Sequence, residues 1–151
     1  MTKKSPTSLR ELRLLNWAAV LGASFAWFAL GGLWYSPLLF GPLWQDLTGP
    51  SVLHQQPSAP MFIVPFVGSL VGMTATAALV RALGLTTPRQ GALLGLGLAL
   101  ALVVPTVAID AAAPNHPAPL TWTLVVGGYH VFGLVLVALV VTRFRGTTSA
   151  A

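Results

Sequence analysis

The sequence predicts an all-α membrane protein, with four transmembrane helices in a compact bundle and both termini in the cytoplasm. Three observations carry that expectation. Of 151 residues, 55% are hydrophobic and only 7% charged, whereas a soluble domain carries charge on roughly a quarter of its positions. The apolar residues gather into four runs, and four spans of about 20 residues use about 80 positions, close to what this composition supplies. The eight Lys and Arg residues lie on alternate flanks of those runs, which puts them all on one side of a bilayer once the chain is threaded through it.

Residues 1–13 form a basic cytoplasmic segment in which Ser8 and Glu11 have capping-box spacing, so a helix is expected to start there. The first span covers about residues 14–36, interrupted only by Asn16 and Ser24. Helical rise sets Trp17 and Trp34 about 25 Å apart, which suits the two interfaces of one bilayer. The apolar region of a signal peptide is about 7–15 residues, so this longer, tryptophan-bearing run reads as an uncleaved span. Asn16 at its inner end is suited to cap the helix or bond the end of a neighbouring span.

Pro37, Pro42, Pro50, Pro57 and Pro60, with Gly41 and Gly49, mark residues 36–60 as a loop of about two dozen residues, from which Phe40 and Trp44 can return to the interface. The second span, about 61–83, holds Pro65 in its expected first turn, where a missing N–H breaks no hydrogen bond. Thr87 and Pro88 supply an N-cap and a first-position proline for the third span, about 89–109, whose last turns Pro105 is expected to kink. Asp110 to Pro119 is a second proline-rich loop. The fourth span, about 120–142, starts near Trp122 and gives way to a cytoplasmic tail, 143–151, that opens on Arg143, Phe144 and Arg145.

Lys3, Lys4, Arg10, Arg13, Arg81, Arg89, Arg143 and Arg145 all fall on the inner side, and the outer loops carry only Asp46 and Asp110 as charges. A net charge of +5 distributed in this way marks topology and contact with anionic lipid, not a nucleic-acid groove. The absence of cysteine excludes disulfides, thiolate metal sites and a cysteine nucleophile.

Lipid tails are as apolar as leucine, so helices associate where small residues let backbones approach. Ala18, Gly22 and Ala26 form one such stripe, Gly68, Gly72 and Thr76 a second, and Gly91, Gly95 and Ala99 a third. These stripes are expected to pack the four helices together, with a seam between copies, or towards another membrane protein, as the alternative use.

His130 lies about 15 Å inside the fourth span, near the bilayer midplane, where a polar side chain is costly and marks a candidate site. Gly127, one turn earlier on the same face, leaves room for a helix or ligand. Asp110, at the mouth of the third span, is placed to reach towards the fourth. His54, His116 and Asp46 complete the outer polar set, but no spacing among them fits a metal site, and no nucleophile or acid pair fits catalysis. No cofactor, metal or enzymatic activity is expected.

Asn16 and Trp17, then Gly31, the run Trp34-Tyr35-Ser36-Pro37, Phe40-Gly41 and Trp44 form a more particular pattern than an aromatic belt. It resembles the signature of the bacterial membrane family catalogued as domain of unknown function 1761. The resemblance implies four spans, a glycine-rich third helix comparable to Gly91 and Gly95, and a Tyr-His pair in the last helix like Tyr129 and His130. It implies no activity. It does direct attention to an outward-facing pocket rimmed by Trp34, Tyr35 and Ser36, with Asp110 nearby and His130 and Tyr129 deeper. The expected function is binding or moving a lipid or small amphipathic molecule in the bacterial inner membrane; the alternative is a structural or accessory subunit of a membrane complex.

Overall fold

The computed structural model describes residues 15–48, 58–113 and 116–144. The expected Ser8 cap, together with Lys3, Lys4, Arg10, Arg13, His54 and Arg145, lies outside the described residues. Five helices follow one another: α1 Trp17–Trp34, α2 Gly41–Thr48, α3 Ala59–Ala82, α4 Pro88–Ala111 and α5 Pro119–Arg143. All but α2 are long and apolar enough to cross a membrane, as a multi-pass membrane protein requires. There is no strand among the described residues.

The helix ends are set by local chemistry. Asn16 caps α1, its side-chain oxygen accepting from the Ala19 N–H at 3.2 Å, while its amide donates to the Phe144 carbonyl at 3.1 Å beyond the end of α5. One residue therefore caps its own helix and ties it to another. The short α3–α4 turn closes with the Gly84 N–H on Arg81 O and the Leu85 N–H on Val80 O. Gly84 takes φ 67°, a left-handed conformation in which a side chain would be strained. On the far side of the turn, Thr87 and Gln90 form a reciprocal capping box ahead of Pro88.

Three details differ from the sequence expectation. The 36–60 segment is not all loop, since α2 occupies Gly41–Thr48. Pro42 is its second residue, where the backbone N–H has no helical partner to lose, and Leu47 is buried beneath it. Pro65 does not fall in a first turn, because α3 starts at Ala59 and the proline is interior; the Met61 carbonyl is thereby denied its helical donor. Just before Pro105 the helix widens into a π-helical turn over Ala99–Val103, in which the Val104 N–H reaches back to Ala99 O. A second such turn covers Thr123–Gly127 in α5.

The bundle is built round α5, which packs against α1, α3 and α4, whereas α3 and α4 touch little despite their short connection. Its interior holds Val20, Ala23 and Trp27 of α1, Met73, Ala77 and Val80 of α3, Ala99 of α4, and Leu134, Val137 and Val141 of α5. The buried hydroxyls of Ser24, Thr76 and Thr142 donate to carbonyls one turn back in their own helices, so none is left unpaired. Phe25, Val64, Ile109, Leu120 and Phe132 face outwards. Large apolar side chains on the outside are what a hydrocarbon solvent selects.

Gly91 and Gly95 set the closest helix contact. A Cβ on Gly91 would lie 2.6 Å from Ala138 O and also meet the Thr142 hydroxyl, and one on Gly95 would meet the Leu134 carbonyl, all on α5. Gly127 and Gly72 make ordinary contacts, with Val104 at 3.6 Å and Trp27 at 3.8 Å. At Gly22 and Gly68 a Cβ would meet nothing within 4 Å. Gly95→Ala is therefore expected to force α4 from α5 and cost about 1–3 kcal/mol, as overpacking does. Gly97→Ala, with open space at its Cβ, should leave stability unchanged or slightly raised, and reversible unfolding in mixed detergent micelles measures both.

Candidate functional site

The site is founded on aromatic side chains of α1 and α5 that occupy the space left by glycines on the facing helix. Trp27 lies against Gly133, where a Cβ would come within 2.7 Å of the indole Nε1. Trp34 lies over Gly128, 3.4 Å from such a Cβ, and Tyr129 points back at Gly31, with its hydroxyl 3.1 Å away. The exchange runs in both directions, so the two helices interlock. Two hydrogen bonds fix it: Trp34 Nε1 donates to Val125 O at 3.0 Å, and the Tyr129 hydroxyl donates to Trp27 O at 3.3 Å. Val125 belongs to the widened turn of α5, where its carbonyl accepts from the Gly128 N–H as well as from the indole.

Trp34-Tyr35-Ser36-Pro37 and Phe40-Gly41 form the turn from α1 into α2. The Ser36 hydroxyl donates to Leu33 O at 2.7 Å and accepts from the Leu38 N–H at 3.3 Å; the Gly41 N–H donates to Ser36 O at 2.9 Å. A Cβ on Gly41 would lie 2.6 Å from the carbonyl oxygens of Tyr35 and Ser36. Trp34 packs on Phe40 at 4.7 Å between ring centres, and Tyr35 on Trp44 and Tyr129, each at 5.5 Å.

Deeper in the bundle, a cavity of about 260 Å³ is lined by Trp27 of α1, Pro65, Gly68 and Ser69 of α3, and Tyr129 and His130 of α5. His130 meets Trp27 edge-on at 5.8 Å and stacks obliquely on Tyr129 at 4.9 Å. Two buried nitrogens in this lining, Trp27 Nε1 and His130 Nδ1, have no hydrogen-bond partner. Protein interiors leave few such groups, and in hydrocarbon each one is costly. Two further buried nitrogens without a partner, His116 Nδ1 and Trp122 Nε1, lie between α4 and α5.

The sequence candidates thus divide among three places. His130 and Tyr129 line the cavity. Trp34, Tyr35 and Ser36 build the turn and aromatic cluster beyond it and are not among its walls. Asp110 is elsewhere: its carboxylate, 66% exposed, stands 3.6 Å from Nε2 of His116, whose side chain is buried and stacks on Trp122 at 4.1 Å. That pair joins the end of α4 to the start of α5. Among the described residues, no three His, Asp or Glu side chains gather as a metal site.

Trp27, Pro65 and Ser69 are walls that the sequence reading did not single out. One signal was available for Trp27: tryptophan favours the membrane interfaces, and this one sits about 15 Å along α1 from Trp17, near the middle of the span. Ser69 and Pro65 had no signal of their own, because what makes them part of a site is the helix opposite.

The chain belongs to the family described as protein of unknown function (DUF1761), whose model matches residues 18–142. No curated protein and no solved structure matches it.

The Trp34 bond to Val125 O sets the spacing of α1 and α5 above the cavity. Trp34→Phe keeps the ring in the Gly128 socket and removes the donor, so it is expected to cost about 0.5–1.5 kcal/mol. Trp17→Phe, at an exposed position, should cost less than that in the same unfolding measurement.

Proposed function

We propose that this protein is a multi-pass protein of the bacterial inner membrane that binds, or helps to move, a lipid or small amphipathic molecule in the cavity between α1, α3 and α5. The observation that carries the reading is the pair of unpartnered buried nitrogens, Trp27 Nε1 and His130 Nδ1, in an otherwise apolar wall. The site reads as a binding site and not a catalytic one, since an indole, an imidazole and two hydroxyls face it without an acid. The rim of Trp34, Tyr35 and Ser36 acts through the fold, by fixing α1 against α5.

Both termini are assigned to the cytoplasm. Arg81 and Arg89 flank the α3–α4 turn and Arg143 ends α5, at the bundle end where Asn16 is bonded to Phe144, while Asp110 and His116 occupy the other. This distribution follows the positive-inside rule. A second reading, an accessory subunit or self-associating protein, draws on Gly22 and Gly68, where a Cβ would meet nothing within 4 Å.

Detergent-free extraction followed by native mass spectrometry tests the binding reading. The wild-type chain is expected to carry a lipid-sized adduct that His130→Ala loses while its unfolding midpoint holds; a stoichiometric protein partner with no adduct would favour the accessory reading instead. Because the chain has no cysteine, single cysteines report topology without background. Ala113→Cys should react with an impermeant maleimide on whole cells, and Thr86→Cys only after permeabilisation; the reverse pattern would invert the assignment.

A further inference from the structure

We propose that the cavity takes an uncharged lipid bearing a free hydroxyl group, which reaches it from the bilayer across α3. This rests on the binding reading above and specifies the ligand's chemistry and its route.

The first constraint is charge. The lining of Trp27, Pro65, Gly68, Ser69, Tyr129 and His130 holds no Lys, Arg, Asp or Glu. A phosphate or carboxylate would be taken from water into apolar walls with no formal counter-charge, which is costly at this depth. The head group is therefore neutral.

The second constraint is the balance of donors and acceptors. Trp27 Nε1–H can only donate, and it is unpartnered on a side chain more than nine-tenths buried. The Ser69 hydroxyl already gives its proton to Pro65 O at 2.6 Å, and the Tyr129 hydroxyl gives its own to Trp27 O at 3.3 Å. Each of these oxygens keeps its lone pairs as acceptors. The walls accordingly present donors, the Trp27 indole and the one N–H of a neutral His130 imidazole, together with acceptors. A hydroxyl accepts from the indole and donates to an acceptor, whereas an ether or ester carbonyl answers only a donor.

The third constraint is size and access. At about 260 Å³ the cavity is below the usual 300–1,000 Å³ of a whole small-molecule site, so it takes a head and the first carbons and leaves the chain outside. Pro65 and Gly68 are exposed on the α3 side, and beyond Gly68 there is open space where a side chain would begin. Exposed Phe62, Val64 and Val71 of the same helix offer an apolar surface along which an acyl or prenyl chain can lie.

The test uses the full chain in phosphatidylcholine nanodiscs and three probes with one hydrocarbon tail: oleyl alcohol, its methyl ether and its phosphate monoester. The alcohol is expected to bind, and the ether and phosphate to bind up to about ten-fold more weakly, the scale of one net hydrogen bond. Trp27→Phe should weaken the alcohol and the ether by a similar factor, since both accept from the indole. Gly68→Leu, which meets no neighbour in the fold, should block all three without lowering the unfolding midpoint. Equal affinity for the ether or the phosphate would overturn the hydroxyl assignment and leave the binding reading standing. Unaltered alcohol affinity in Gly68→Leu would overturn the route across α3. Failure of every probe to bind, with no native lipid retained by the extracted wild-type protein, would remove the binding reading and this inference together.

Discussion

The packing of Trp27 against Gly133 is the contact on which the rest of the structure depends. Because a bilayer supplies no hydrophobic force between apolar helices, α1 must be held to α5 by close fit and by hydrogen bonds. Gly133 admits the indole to a distance that any Cβ would forbid. The same contact brings the Trp27 carbonyl to the Tyr129 hydroxyl and the indole to the edge of His130. Trp34 on Gly128 and Tyr129 on Gly31 repeat the arrangement nearer the helix ends, so three aromatic groups and three glycines fix the α1–α5 interface.

That interface also explains why a cavity exists. On the other side of α5, glycines at 91 and 95 let α4 approach until backbone meets backbone, and no room is left between them. On the α1–α3 side, large rings hold the helices apart, and Gly68 contributes no side chain to fill the gap. Pro65 adds a local interruption in the hydrogen-bond ladder of α3. The buried hydroxyls of Ser24, Thr76 and Thr142 are satisfied within their own helices. Trp27 Nε1 and His130 Nδ1 are unpaired at the cavity, as Trp122 Nε1 and His116 Nδ1 are between α4 and α5.

Much of this architecture was legible from composition and local chemistry. The four spans follow from run length and hydropathy, the start of α4 from Thr87 and Pro88, and the tight α4 face from the spacing of Gly91 and Gly95. The Trp34-Tyr35-Ser36-Pro37 pattern led to the right family. What local reading missed depended on the partner helix or on exact phase. Pro42 looked like a helix breaker, but its missing N–H costs nothing at the second residue of α2. Pro65 looked harmless in a first turn, until the start of α3 at Ala59 made it interior. Trp34 reads as interfacial aromatic and is in fact buried and bonded to α5. Asp110 and His130, both polar and near the same pair of spans, belong to separate clusters, because His116 intercepts the carboxylate. Residues from α1, α3 and α5 make one cavity, and no single-helix periodicity can show that.

The central claim is that the gap beside Trp27 and His130 is filled by a lipid from the surrounding bilayer. A high-resolution structure of the protein crystallised from a lipidic mesophase examines it most directly. The account predicts elongated density that passes Gly68 from the membrane and places an oxygen within hydrogen-bond distance of Trp27 Nε1. Ordered water alone in the cavity, with lipid chains confined to the outer faces of the bundle, would contradict it.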